Sequence, residues 1–312
     1  MRVIFMGSPQ IAVPALEQLA AGNYNVVAVY TQPDRPAGRG KSLTASAVKE
    51  AALKHGIKVY QPESLKPAET LAELAALKPD VIVVCAFGQI LPQGLLDIPP
   101  CQCVNVHYSL LPRHRGASPV MAAILAGDEF SGVTVQLVRK KLDTGPLLAS
   151  AAVPINAKDT TGSLSEKLSI VGAALLDEAL SGWMRGETIP REQDENQATY
   201  FGQITKEAGE IDWSQPAVEI WRRIRAYQPW PGGYTAWKGK QLKIIEAEVN
   251  VKDISGAYGT VVALPEIKHG VGIITGNRII RVMKIQYEGK KAMDAAGFIH
   301  GQHDFIGSKL PS

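Results

Sequence analysis

Hydrophobic positions along the chain fall into two textures, and the break between them comes near residue 188. In the first, short apolar runs alternate with stretches whose apolar residues recur every three or four positions. Arg2 to Met6 is such a run and stops at Gly7-Ser8-Pro9. The pattern through Leu16 and Leu19 to Gly22 is helical, and Asn25 to Thr31 is again apolar and β-branched. Those periods predict a β-α-β opening. Ala45 to His55 predicts a helix and Ile57 to Tyr60 a short strand. Pro67 to Leu77 predicts a helix with proline in its first turn and Leu71, Leu74 and Leu77 at helical spacing. Val81 to Phe87 is apolar throughout, as a central strand covered on both faces should be. Strands are expected again at Cys103 to His107, Val133 to Val138 and Leu147 to Ile155, and helices at Val120 to Ala126 and Thr160 to Trp183.

Gly186 to Gln203 loses both periods and carries Pro190 and a polar cluster, so it reads as a linker. A helix from Ala217 to Ala226 then leads into the turn Gln228-Pro-Trp-Pro-Gly-Gly233. After it come Tyr234 to Trp237, Leu242 to Val249, Gly259 to Leu264, Gly270 to Thr275 and Ile279 to Ile285, with a last helix at Ala292 to Ile299. Five short strands at close spacing predict a small antiparallel barrel. Trp213, Trp221, Trp230 and Trp237 are expected to pack inside it. The expected class is α/β: a Rossmann-like, mostly parallel sheet in residues 1–188, a linker in 189–206, and a small OB-like β-barrel in 207–312.

Composition narrows the function. Of 312 residues, 46% are apolar and 20% charged, which suits two globular cores. The longest apolar run, Val81 to Leu91, is too short to span a bilayer, and nothing near Pro9 resembles a secretory signal. Three cysteines cannot all pair with one another, so a reducing cytoplasm is expected. Cys101-x-Cys103 lacks further ligands at zinc spacing, and buried free thiols are the expectation, with no metal. Gly7-Ser-Pro-Gln-Ile-Ala lacks the G-x-G-x-x-G spacing that admits a pyrophosphate, which excludes a nicotinamide cofactor. The net charge of +3 is uneven: from Lys206 onward there are 15 Lys+Arg against 11 Asp+Glu, and the surplus hints at a polyanionic partner.

Candidate chemistry concentrates in Cys103 to Pro119. Val104 and Val106 alternate with Asn105 and His107, so the two polar groups share one strand face. Ser109-Leu-Leu-Pro112 then ends the strand, at the edge of a parallel sheet where ligands bind. Asn-x-His-x-Ser-Leu-Leu-Pro followed by Arg-x-Arg-Gly resembles the signature of the formyltransferases that use 10-formyltetrahydrofolate. The resemblance implies the formyltransferase fold and a catalytic trio of Asn105, His107 and Asp143, the last in Leu142-Asp-Thr-Gly145. An amide can donate to the oxyanion of a tetrahedral carbon, and an imidazole beside a carboxylate can manage the amine's proton. Base and oxyanion donor both remain open for His107. Tyr108 stands where this family commonly has a smaller residue, and His114 where an aromatic ring is usual.

The same resemblance implies a folate slot walled by Phe87, Gly88, Gln89, Ile90 and Leu91 and by Ser109, Leu110, Leu111 and Pro112. The loop Gln32 to Leu43 is polar and carries Arg35, Arg39 and Lys41 among Pro and Gly. It resembles the insertion loop of the branch of this family that formylates methionyl-initiator tRNA, and implies contacts from those three residues to the acceptor end. Arg222 and Arg223, on the helix entering the barrel, are further candidates for tRNA, with Ile220 and Ile224 on its buried side. The implied reaction is formyl transfer to the α-amino group of the methionine on initiator tRNA, by a monomer without metal. Amino-sugar nucleotides, a glycinamide ribonucleotide or water are the alternative acceptors, and an RNA-binding protein on a silent scaffold is the alternative class.

Overall fold

The computed structural model describes residues 1–37, 42–250 and 255–312. The chain forms two compact units: Met1–Val120 with Phe130–Pro154 and Leu164–Gly202, and Met121–Glu129 with Ile155–Ser163 and Gln203–Ser312.

In the first unit, β1 (Arg2–Gly7) and β2 (Asn25–Tyr30) are followed by a hairpin of β3 (Arg35–Ala37) and β4 (Ser42–Thr44). Then come β5 (Val59–Tyr60), β6 (Val81–Cys85), β7 (Cys103–His107), the short β8 (Arg115–Gly116), β9 (Phe130–Leu137) and β10 (Leu147–Pro154). Seven of these build one sheet in the order β10-β9-β7-β6-β1-β2-β5. β7, β6, β1, β2 and β5 are parallel, while β9 runs against both β7 and β10. From β1 the chain winds outward to β2 and β5 on one side and to β6 and β7 on the other. The carboxyl ends of β1 and β6 therefore flank the point where the winding reverses, the usual ligand position in such a sheet.

Hydrophobic burial explains the order. Val3 to Met6 and Val81 to Val83 are fully buried, each large side chain being worth about 1.5–3 kcal/mol on leaving water. The helices of this part of the chain are α1 (Val13–Ala21), α2 (Ala47–Lys54), α3 (Ala68–Ala76), α4 (Gln93–Leu96), α5 (Pro119–Ala126), most of which belongs to the second unit, and α6 (Thr161–Met184). α2 starts at Ala47 because the Ser46 hydroxyl caps it, accepting the Lys49 N–H at 3.0 Å. Tyr108 points into the core, where its hydroxyl donates to the Ile11 carbonyl at 2.8 Å and meets Cys85 Sγ at 3.0 Å.

Two stretches carry more structure than their composition announces. Gln32 to Leu43, read as a loop, contains the β3–β4 hairpin, whose three-residue strands are too short for alternation to register. Its base is held by Asp34, which accepts from Lys49 Nζ at 2.6 Å and from Gln61 Nε2 at 2.8 Å. Within 186–203, Arg191 bridges Leu147, and β11 (Tyr200–Phe201) pairs in parallel with β8.

The second unit holds α7 (Ala217–Ala226), β12 (Gly233–Trp237), β13 (Lys240–Asn250), β14 (Val261–Leu264), β15 (Gly270–Ile274), β16 (Ile279–Tyr287), β17 (Met293–Asp294) and α8 (Ala295–Gly301). The strands form an antiparallel sheet in the order β12-β13-β16-β15-β14, with β17 on β16, consistent with the expected small barrel. β13 shifts register at Glu246, and such bulges bend a long strand toward closure. Trp237 is the hub of the core, with Phe298, Phe305 and Tyr287 packed edge-on around it at 5.1–5.6 Å. Trp213 is buried and Trp221 packs against the same cluster. Trp230 does not pack inside: it is 54% exposed, because the turn after α7 carries it outward.

Candidate active site

At the carboxyl ends of β1, β2 and β6 a small polar lattice joins three loops. The Ser8 hydroxyl donates to the Phe87 carbonyl at 3.2 Å and accepts from the Gln32 N–H at 3.1 Å, while Gln32 Nε2 donates to the same carbonyl at 3.2 Å. Phe87 itself is buried, with Gly88 beyond it at φ +86°, a backbone state that favours glycine. Gln89 Nε2 donates to the Pro62 carbonyl at 3.0 Å, and Leu91 is half-buried against the core. Ile90 is 83% exposed.

β7 lies beside β6, with Asn105 opposite Val84. On its other side Asn105 is opposite Gln136 and His107 opposite Thr134, so four polar side chains share one face of the β7–β9 pair. The Asn105 side chain is half-buried, and its amide makes no hydrogen bond to a described residue. The next segment is tightly tied. Ser109 Oγ donates to the Arg113 carbonyl at 2.7 Å, and Thr134 Oγ1 donates to the Ser109 carbonyl at 2.7 Å while accepting the Leu111 N–H at 3.1 Å. Leu111 is buried; Leu110 and Pro112 are half-buried.

His107 keeps 5% of its surface exposed. Its Nε2 lies 3.0 Å from the His114 carbonyl, which can only accept, so Nε2 carries the proton. Nδ1 then holds the lone pair of the neutral ring and faces Asp143 Oδ1 at 3.5 Å. Burial pulls the His107 pKa below its ordinary 6.5, against the opposing pull of the Asp143 charge and the His114 carbonyl.

Asp143 sits at φ +54° in the turn after β9. Its Oδ2 accepts the Gly116 N–H at 2.8 Å and its Oδ1 accepts Gln136 Nε2 at 3.2 Å. Gly145 is required here, since a Cβ would overlap the Leu137 carbonyl oxygen. The Leu142-Asp-Thr-Gly turn thus brings Asp143 to the face that carries Asn105 and His107. Gln136 and Gln193 also reach this turn, and Arg115 reaches Gln193; no role for these side chains is readable from sequence alone. Gln136 left one signal, as an amide in the apolar run Val133 to Val138; Gln193 left none.

Arg35 is exposed on β3, and Arg39 and Lys41 lie outside the described residues. Arg222 and Arg223 are half-buried on α7 in the second unit, where Ile220 and Ile224 form its buried side. On the same helix Arg225 stacks on Trp221 at 3.7 Å, and burial with Arg222 nearby lowers its pKa to about 10. All three cysteines are free; Cys85 and Cys103 are buried, with thiols pushed up to about 12, but Cys101 is part-exposed rather than buried. Among the described residues no cluster of three or more His, Cys, Asp or Glu is placed to hold a metal, and no helix is long and apolar enough to cross a membrane.

Comparison with known proteins places the chain in a family. The family profile "Formyl transferase" matches residues 1–180, and "Formyl transferase, C-terminal domain" matches 203–303. A relative named methionyl-tRNA formyltransferase, from Dehalococcoides mccartyi, is 46% identical over 99% of this chain and 98% of its own. One of the same name from Roseiflexus sp. is 46% identical over 99% and 95%. Among solved structures, HypX from Aquifex aeolicus in complex with tetrahydrofolic acid matches with a TM-score of 0.62 at 18% identity. That match covers 98% of this chain and 48% of HypX, and at such identity it bears on the fold alone. The chain belongs to the formyl transferase family.

Proposed function

We propose that this protein transfers the formyl group of 10-formyltetrahydrofolate to the α-amino group of methionyl-initiator tRNA, giving N-formylmethionyl-tRNA for translation initiation. The observation that carries the reading is the pairing of an Asn105 amide, which makes no hydrogen bond to a described residue, with a neutral imidazole whose lone pair faces a carboxylate. Near-full-length relatives of that name support the choice of acceptor.

His107 Nδ1 takes the proton of the attacking amine, and Asp143 stabilises the imidazolium that forms. Asn105 donates its amide N–H to the oxyanion developing on the formyl carbon. As the new C–N bond forms and the bond to folate N10 breaks, His107 returns the proton to N10, so atoms and charge balance. An amide with no hydrogen bond to a described residue, on β7 opposite Val84 of β6, fits a folate-borne formyl oxygen. Phe87 to Leu91 and Ser109 to Pro112 wall the pterin slot, and exposed Ile90 offers apolar surface to it. Oxyanion and proton are both served by side chains, so no metal is required. Arg35, Arg39 and Lys41 contact the acceptor end, and Arg222 and Arg223 extend the phosphate contacts. The enzyme works as a monomer in a reducing cytoplasm, consistent with three free cysteines.

The test is incubation with 10-formyltetrahydrofolate and charged initiator tRNA, charged elongator tRNA, or no acceptor. Folate turnover that requires methionyl-initiator tRNA is expected. Turnover without any acceptor, or with an amino-sugar nucleotide in place of tRNA, overturns the reading.

A further inference from the structure

Arg115 is a fully buried cation, and its partners are not substrate-like. Its guanidinium forks onto Glu195 at 2.7 and 3.0 Å, reaches the Tyr200 hydroxyl at 2.7 Å, and donates twice to Gln193 Oε1, at 2.8 and 3.2 Å. Gln193 Nε2 in turn donates to the carbonyls of Asp143 and Gly145, at 2.9 and 2.8 Å, and lies 3.2 Å from Gln136 Oε1. Gln136 Nε2 completes the path to Asp143 Oδ1 at 3.2 Å.

Every bond on this path has a forced direction. A guanidinium only donates, so Gln193 must turn its oxygen to Arg115 and its nitrogen away. Two carbonyls that only accept meet that nitrogen, an independent check on the same orientation. Gln193 meets three acceptors with two N–H groups, so Gln136 Oε1 shares one of them at the longest distance, and Gln136 turns its nitrogen to Asp143. The last member of the path is therefore addressed as an acceptor, on the same oxygen that stands 3.5 Å from His107 Nδ1.

We propose that Arg115, Gln193 and Gln136 form an oriented relay that holds the Asp143 carboxylate toward His107, making them positioning residues for proton transfer. The inference rests on the reading of His107 and Asp143 as the proton-handling pair. It gives residues 191–200 a part in the chemistry that their composition does not suggest.

Steady-state kinetics of the full chain test the relay, with Gln136→Met, Gln136→Glu, Gln193→Glu and the Gln136→Met/Gln193→Glu double variant. Gln136→Met removes the donor at nearly constant volume and should lower kcat about tenfold, a share of what a general base supplies, with both KM values kept within about twofold. Gln136→Glu is the sharper probe. The introduced carboxyl can donate only while protonated, and Asp143 beside it favours the protonated form. Its turnover should approach that of the wild type on the acid side and collapse as pH rises. The double variant should lose no more than the worse single one, since the two changes break one path. Equal, pH-independent losses in Gln136→Met and Gln136→Glu, losses confined to KM, or multiplicative losses in the double variant overturn the relay.

A wild type that formylates no acceptor sinks the functional reading instead. The relay is then judged by NMR titration of the His107 imidazole. Gln136→Met should move that titration to lower pH as Asp143 loosens, and an unmoved titration overturns the proposal.

Discussion

His107 Nδ1 and Asp143 Oδ1 stand 3.5 Å apart without a hydrogen bond between them, while the opposite ring nitrogen is committed to the His114 carbonyl. The imidazole is thus primed on one side only. Taking up a proton at Nδ1 turns a lone pair facing an anion into an ion pair with it, so the carboxylate makes the ring a better base than its burial alone would allow.

The acid limb of the pH–rate profile follows from that arrangement. The base must be neutral to act, and burial lowers its pKa, so kcat/KM should stay high below pH 6.5 and fall only as pH drops through the depressed value. The same group stabilises the fold above 6.5, where both states hold it neutral, and that contribution is lost as pH falls through the folded value. Asp143→Asn removes the one charge that pulls upward. The limb should move further to the acid side, with kcat down by about 10²-fold or more. A profile unchanged by Asp143→Asn would show that the carboxylate does not address the ring.

Asn105→Ala should reduce turnover by roughly 10²–10³ with little change in folate binding, by analogy with other oxyanion donors. Its amide has no hydrogen bond to a described residue to lose, so thermal unfolding should barely shift. Near-normal turnover at saturating substrates would remove Asn105 from the mechanism.

Removing Arg39 should act on tRNA alone. Arg39→Ala is expected to weaken binding of charged initiator tRNA and to reduce the slope of log affinity against log salt by about one. Folate affinity should be unaltered. An identical salt slope in wild type and variant would rule out a phosphate contact.

Trp237→Ala should destabilise the second unit by about 3–5 kcal/mol, because a fully buried indole with three aromatic neighbours leaves a cavity those rings cannot close. Trp230→Ala, at a half-exposed ring, should stay within about 0.5 kcal/mol. Chemical denaturation of both variants makes the comparison, and similar losses would contradict the packing described here.

Much of this was legible before any coordinates. The β-α-β opening, the buried Val81 strand and the amphipathic Ala217–Ala226 helix announce themselves by period, because burial on one or two faces is what period records. Asn105 and His107 were legible as a same-face pair for the same reason, and Asp143 through its resemblance to a family turn. The β3–β4 hairpin was not, being too short to alternate. Trp230 was misread because an indole's apolarity does not say which way a turn will carry it. Gln193 was invisible in principle: a polar residue in an aperiodic stretch reads as solvated, and only tertiary contact gives it a partner.

One practical consequence concerns where the chain may be cut. Ending a catalytic fragment where helical periodicity stops would discard the strap that β11 lays alongside Arg115 and Gly116, and with it Glu195, the sole carboxylate to which the Arg115 guanidinium hydrogen-bonds among the described residues. Such a fragment would leave the Arg115 guanidinium without its carboxylate and without the Gln193 and Tyr200 oxygens it donates to. Carrying it through Gly202 keeps that charge answered.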